Sequence, residues 1–264
     1  MSEDPGLAPE ELRKDHVRLT RKLGRIEGQM RHLEQLRDTN ARVLERLMVE
    51  LEEERARSHG LLLNVLPQTV IDRLNAGEQL IADRYDDVAV VFSDFVGSTK
   101  ITAEMPVTTL VSNLNEMFSA FDDRCRELGV EKIKTIGDGY MAAAGLPGTA
   151  PDHVVAAADL AIAMREAVRA MGEPWQVRIG IHRGPVVAGV MGSRKFAYDL
   201  WGDTVNVASR FESTSLPDQI QVSEPVALAL GDAFELEPRG EVELKGKGAT
   251  PAYFLRGRRR EVER

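Results

Sequence analysis

Val88-Ala-Val-Val-Phe-Ser-Asp-Phe-Val-Gly-Ser-Thr99 reads as a buried strand that carries a carboxylate, Asp94, to its end and turns at glycine into a helix. A second stretch, Lys132-Ile-Lys-Thr-Ile-Gly-Asp-Gly-Tyr-Met141, repeats the pattern: an apolar run closed by Asp138 between two glycines. A carboxylate at the end of a buried strand is costly unless a cation or hydrogen bonds compensate it. Two of them, with glycines that let phosphate approach the backbone, point to a pair of hard metal ions holding a nucleotide triphosphate. The backbone N–H groups of Gly97, Ser98 and Thr99, at the helix start, are natural phosphate ligands. Each aspartate also has a plainer reading, Asp94 as a helix cap and Asp138 as part of an Asp-Gly turn.

Lys132 and Lys134 alternate with Ile133, which places both lysines on one strand face. A lysine beside such a carboxylate suits an anion or a purine nitrogen. In Tyr198-Asp-Leu-Trp-Gly-Asp-Thr-Val-Asn-Val-Ala-Ser-Arg-Phe211, Asn206 and Arg210 stand four apart on one helix face, with Val207, Ala208 and Phe211 on the packing side. Asparagine can bond a sugar and arginine can clamp a phosphoryl group. Asp203 reads as a cap or first-turn residue, which leaves Asp199 available to accept from an exocyclic amine. In Glu243-Leu-Lys-Gly-Lys-Gly248 two lysines alternate with glycine, as a phosphate contact or an unliganded basic turn. His182 reads as a structural residue at a strand end. His16, His32, His59 and His153 are scattered and form no metal set.

Outward from these stretches, residues from about Asp83 onward read as one α+β domain. Strand-like runs are expected at 88–92, 132–136, 140–144, 176–182, 186–191, 219–222 and 253–255. Helical periodicity is expected at 107–128, 153–171 and 204–213. Short hairpin-like joins favour a mostly antiparallel sheet with helices packed on it. The first quarter differs. From Leu12 to about Val65 apolar residues recur by threes and fours, with His16, Arg37, Asn40, Glu54 and Ser58 in the intervening slots. That is a heptad seam with polar interruptions, the pattern of a parallel coiled coil that needs a partner chain. Asn40 would fix its register. Pro67 ends or kinks the helix, and Leu61–Leu74 forms a joint. The expected organisation is an N-terminal helix at 1–66, a joint at 67–84, an α+β domain at 85–257 and a basic tail at 258–264.

Formal charge is −8 for 264 residues, with a pI near 5.3. That argues against non-specific nucleic-acid binding. One cysteine, Cys125, rules out an intrachain disulfide and fits a reducing compartment. The first six residues lack the pattern of a signal peptide, and no run approaches the roughly 20 apolar residues of a membrane helix. The expected location is cytoplasmic.

In combination, Phe92-Ser-Asp-Phe-Val-Gly97, Lys132-Ile-Lys-Thr-Ile-Gly-Asp138, Gly180-Ile-His-Arg-Gly-Pro-Val186, Trp201-Gly-Asp-Thr-Val-Asn-Val-Ala-Ser-Arg210 and Leu244-Lys-Gly-Lys-Gly248 resemble the catalytic domain of class III nucleotide cyclases. The resemblance implies a ferredoxin-like core working as a head-to-tail dimer with its sites at the interface. It implies that Asp94 and Asp138, assisted by the Phe95 carbonyl, hold two Mg²⁺ or Mn²⁺ ions. It further implies that Lys134 and Asp199 select the base, Asn206 orients the ribose, Arg210 stabilises the transition state and Lys245 contacts phosphate. The metal aspartates would come from one chain and the other groups from its partner, so a homodimer would hold two sites. Two departures stand out: Ser98, where many relatives carry phenylalanine, and Gln219, near the place of a phosphate-contacting arginine in some. The expectation is an adenylate cyclase making 3′,5′-cyclic AMP from ATP. A guanylate cyclase, a silent nucleotide-binding regulatory dimer and a coiled-coil scaffold are the rivals.

Overall fold

A computed structural model describes residues 9–147, 152–192 and 196–259. The first six residues, which lack a signal-peptide pattern, and the tail from residue 260 lie outside the described residues. The chain divides into two compact units, Met1–Leu62 and Leu63–Arg264.

The first unit is helix α1 (Pro9–Leu63), 55 residues long. Its Leu, Glu and Arg content suits a helix, and it runs without internal proline. At 1.5 Å per residue it extends about 80 Å. The apolar stripe from Leu12 to Leu51 is exposed along this single chain.

The second unit opens with α2 (Gln68–Asn75), for which Pro67 is the residue before the first turn. Leu66, Val70, Ile71 and Ile81 form a small buried cluster that Leu74, Val190 and Tyr198 join. Arg73 bonds to both Glu78 and Asp83 and ties the end of α2 to the strand that follows.

That strand is β1 (Ala82–Phe95), followed by α3 (Ser98–Glu104), α4 (Val107–Leu128), β2 (Glu131–Ile136), β3 (Gly139–Ala144), α5 (His153–Met171) and β4 (Val177–Met191). Then come β5 (Ala197–Trp201), α6 (Asp203–Ser213), β6 (Ile220–Ser223), α7 (Glu224–Leu230), β7 (Phe234–Leu244) and β8 (Gly248–Arg258). The sheet order is β2-β3-β1-β4-β6-β8-β7, with β5 paired to β4. The four strands β2-β3-β1-β4 are antiparallel throughout. With helices between β1 and β2 and between β3 and β4, they form the expected ferredoxin-like core.

Alternation along β1 divides the interior. Ala89, Val91 and Phe95 face the larger core under α4 and α5. Val88 and Val90 face a smaller cluster that includes Leu200 and Ala208. Asp94, in phase with Val90, therefore ends on the α6 side, while the Phe95 ring is locked against Phe118 and Trp175 on the other.

Three expectations change. Lys132 and Lys134 do not share a face. Lys132 pairs with Ala142 and Lys134 with Met141, so a bulge at Ile133 turns the two lysines to opposite sides. The runs at 176–182 and 186–191 are one strand, because a bulge in β1 between Tyr85 and Val88 accommodates the Gly184-Pro185 step of β4. Strands β5 and β7 and helix α7 were not expected. β7 is an edge strand of alternating glutamates, with Pro238 and Gly240 absorbed at a register shift.

Candidate active site

The end of β1 and the β2–β3 turn bring Asp94 and Asp138 together. Burial raises the Asp94 carboxyl above the ordinary range, and repulsion from Asp138 adds to it. Asp138 Oδ2 is buried with no hydrogen-bond partner. Gly139 makes the approach possible: a Cβ there would lie 3.2 Å from the Ser93 and Ile136 carbonyl oxygens and 3.6 Å from Asp94 Oδ1. Two close, half-buried carboxylates, one with an orphaned oxygen, fit a hard divalent cation. Among the described residues no cluster of three or more His, Cys, Asp or Glu could hold a metal. Asp94 and Asp138 would supply two carboxylates to such a cation, whose usual coordination number of six or more needs further oxygen ligands.

Directly across the ladder from Asp94 stands Arg178 of β4. Its Nη2 donates to Asp94 Oδ2 at 2.9 Å and lies 3.3 Å from Glu212 Oε1. Glu212 belongs to α6 and is buried. Burial pushes its carboxyl up to about 7, against the pull of Arg178. The contact depends on Gly180, two residues beyond Arg178 on the same face. A Cβ at Gly180 would lie 2.1 Å from the Glu212 nitrogen. Sequence reasoning missed both residues. Alternation of Arg178 with Gly180, and an acid on the packing face of α6 beside Phe211, were the available signals. The guanidinium beside the aspartates is Arg178; Gln219 instead accepts a hydrogen bond from Arg256.

The base-reading candidates also meet. Lys134 Nζ donates to Asp199 Oδ2 at 2.5 Å, linking β2 to β5. Asp199 Oδ1 accepts from the Leu200 N–H, which orients the carboxylate. Lys132, on the other face, bonds to Asp122 at 2.7 Å and lies over the Tyr140 ring, in a structural network.

Helix α6 presents Asn206 on an exposed position and Arg210 half-buried, while Val207, Ala208 and Phe211 are buried. At about 100° per residue, Asn206 and Arg210 share a side, and Arg210 and Glu212 lie roughly 200° apart. Glu212 turns toward the carboxylates of its own chain, and the other two turn away from them. Asp203 is the first residue of α6, and Lys247 bonds it at 2.6 Å. This clips the β7–β8 turn, with exposed Lys245 at its tip, to the start of that helix. Gly97 adopts φ +69° ahead of the short helix that begins with Ser98 and Thr99, beside the end of β1. His182 stacks on Phe211, with Nδ1 2.7 Å from Ser223 Oγ.

Residues 80–257 match the family described as adenylate and guanylate cyclase catalytic domain. An adenylate cyclase of Mycobacterium tuberculosis is 45% identical over 214 residues, which are 79% of this chain and 48% of that protein. The chain thus spans about half the length of that relative. Among solved structures, the guanylate cyclase domain of RhGC from Catenaria anguillulae, in complex with GTP, is similar at 35% identity and a TM-score of 0.64, over 67% of this chain and all of that one. The adenylyl cyclase CyaB from P. aeruginosa is similar at 28% identity and a TM-score of 0.64, over 69% of this chain and 98% of that one.

Proposed function

Because the chain belongs to the family of adenylate and guanylate cyclase catalytic domains, we propose that it is an adenylate cyclase that converts ATP to 3′,5′-cyclic AMP and pyrophosphate. The observation that carries the choice of base is the Lys134–Asp199 pair. Adenine offers an acceptor at N1 and a donor amine at N6, which a lysine and an aspartate complement. Guanine presents the reverse, an acceptor at O6 and a donor at N1. A mismatched buried polar pair costs a few kcal/mol, on the order of a hundredfold in selectivity. The similarity to a guanylate cyclase domain favours GTP as the second reading.

Two divalent cations per site, Mg²⁺ or Mn²⁺ at Asp94 and Asp138, would acidify the ribose 3′-hydroxyl and screen the triphosphate. The 3′-oxygen attacks the α-phosphorus in line, and the bond to pyrophosphate breaks. Asn206 positions the ribose, Arg210 stabilises the transferring phosphoryl group, and Lys245 contacts the departing phosphates. The N–H groups of Gly97, Ser98 and Thr99 bond the phosphates, and the Phe95 carbonyl supplements the aspartates.

The division of α6 supports a site shared by two chains. Glu212 faces its own aspartates, so Asn206 and Arg210 are offered to those of a partner. A head-to-tail homodimer would complete two sites. The exposed stripe of α1 supports a parallel coiled coil at 1–66 as the second dimer contact. The joint at 67–84 would then set the pose of the catalytic domains at 85–257, with a basic tail beyond. No described helix is long and apolar enough to cross a membrane. Use of ATP and a free, buried Cys125 support a cytoplasmic setting.

The test is product analysis of the purified chain with ATP or GTP and with Mg²⁺ or Mn²⁺. Cyclic AMP should dominate, and Asp94→Ala or Asp138→Ala should abolish it while leaving the dimer intact. Cyclic GTP as the main product would favour the second reading. Removal of residues before Leu61 should alter specific activity or dimer affinity.

A further inference from the structure

Asp94 Oδ2 and its partners form a three-membered charge relay that the proposed chemistry does not itself require. Arg178 Nη2 lies between two carboxylates, 2.9 Å from Asp94 and 3.3 Å from Glu212. The first contact has hydrogen-bond geometry. The second is an ion-pair distance at which Glu212 Oε1 is buried without a hydrogen bond. Arg178 Nε is buried without a partner as well. The guanidinium is thus bonded to Asp94 and, through Nη1, to the Ser213 carbonyl at 3.4 Å, and is only half committed to Glu212, although Glu212 is the more buried of the two acids. A buried carboxylate this close to a cation, and not yet bonded to it, is an acceptor held in reserve.

A divalent cation at Asp94 competes with Arg178 for the same oxygen. When the cation wins, the guanidinium is repelled and needs a second carboxyl acceptor within a side-chain rotation. Glu212 is that acceptor, and the absence of a Cβ at Gly180 holds it there. We propose that Glu212 is a positioning residue that receives Arg178 as cation binds Asp94, so that the Arg178–Glu212 pair sets the metal affinity of the site. The inference rests on Asp94 being a metal ligand, as proposed above.

The experiment measures Mn²⁺ binding to the full chain without nucleotide, by electron paramagnetic resonance, for wild type, Arg178→Gln, Glu212→Gln and the double variant, with thermal melts as a folding control. Removing the competitor in Arg178→Gln should tighten binding roughly tenfold, and Glu212→Gln should weaken it several-fold because the guanidinium stays on Asp94. The double variant decides the mechanism. If Glu212 acts through Arg178, Glu212→Gln has no further effect once Arg178 is gone. Independent, multiplicative effects overturn the proposal, as does unchanged or weaker binding in Arg178→Gln. If Glu212→Gln does not fold, Glu212→Asp takes its place in the cycle, and unchanged or weaker binding in Arg178→Gln still overturns the proposal. Asp94→Asn separates the two ideas. Wild-type Mn²⁺ binding in that variant removes the metal assignment itself. Abolished binding there, with additive effects at Arg178 and Glu212, removes only the relay.

Discussion

Replacing Gly180 by alanine tests whether the seat of α6 on β4 sets catalysis. The added Cβ would lie 2.1 Å from the Glu212 nitrogen, 2.6 Å from its Cα and 2.6 Å from the Phe211 carbonyl carbon. All three are backbone atoms, so no side-chain rotation relieves the contact. To reach ordinary van der Waals separation the end of α6 must retreat by roughly 1 Å or more. Phe211 is fully buried, in a cluster with Val207, Val242, Leu244 and Ala252, so the helix moves against a packed core. Overpacking of this kind costs about 1–3 kcal/mol of stability. Asn206 and Arg210 ride on the same helix, and misplacement by about 1 Å costs on the order of a hundredfold in rate. Turnover at saturating ATP should therefore fall by about that factor while the variant still unfolds cooperatively. Mn²⁺ should still bind, more weakly where the shift unseats Glu212, because Asp94 and Asp138 themselves sit on β1 and the β2–β3 turn. A Gly180→Ala protein with near wild-type turnover and an unshifted α6 would refute the argument that this contact holds the helix.

Three further outcomes follow from the geometry. Lys134→Glu combined with Asp199→Ser removes the ion pair without setting two acids side by side and inverts the donor–acceptor pattern; the ratio of GTP to ATP turnover should rise by at least tenfold. Burial pushes the Cys125 thiol up to about 11, so iodoacetamide at pH 8 should label the unfolded chain and spare the native one, as read by mass spectrometry. Burial lowers His182 from 6.5 to about 4. Between those values the unfolded chain binds a proton that the folded one does not, so stability falls as pH drops through that window, and His182→Gln should flatten the fall between pH 7 and pH 5 in urea titrations.

The helices at 107–128 and 153–171 were legible because their apolar spacing is long and regular, and they form with those bounds. β7 was not, because alternating glutamates with an internal proline and glycine carry the signature of a loop, and only its place at the sheet edge makes it a strand. The nearness of Asp94 to Asp138 and of Lys134 to Asp199 was implied by the family resemblance that the combined motifs carry. The bulge at Ile133, which separates Lys132 from Lys134, was not, since a bulge leaves no residue signal there and strict alternation predicts the opposite face. Arg178 and Glu212 escaped notice for a related reason. Each is an ordinary charged residue until register and the close approach at Gly180 place it beside Asp94.

The same contacts explain how an acidic chain can accept an anionic ligand. Three cations around the site are held by acids, Lys134 by Asp199, Lys247 by Asp203, and Arg178 by Asp94 and Glu212, whereas Lys245 stands exposed and Arg210 half-buried outside these pairs. Those three pairs leave little free positive charge of their own to draw in phosphate. A triphosphate with two divalent cations carries no net charge, so under the proposed function its binding would not rest on a strong positive potential. Under that proposal its driving force would come from better-matched pairs, with metal on Asp94 in place of guanidinium, base edges on Lys134 and Asp199, and phosphate on N–H groups and freed side chains. Such an exchange favours the metal–nucleotide complex over nucleotide or metal alone. The resting ion pairs would then be part of the selectivity of the site.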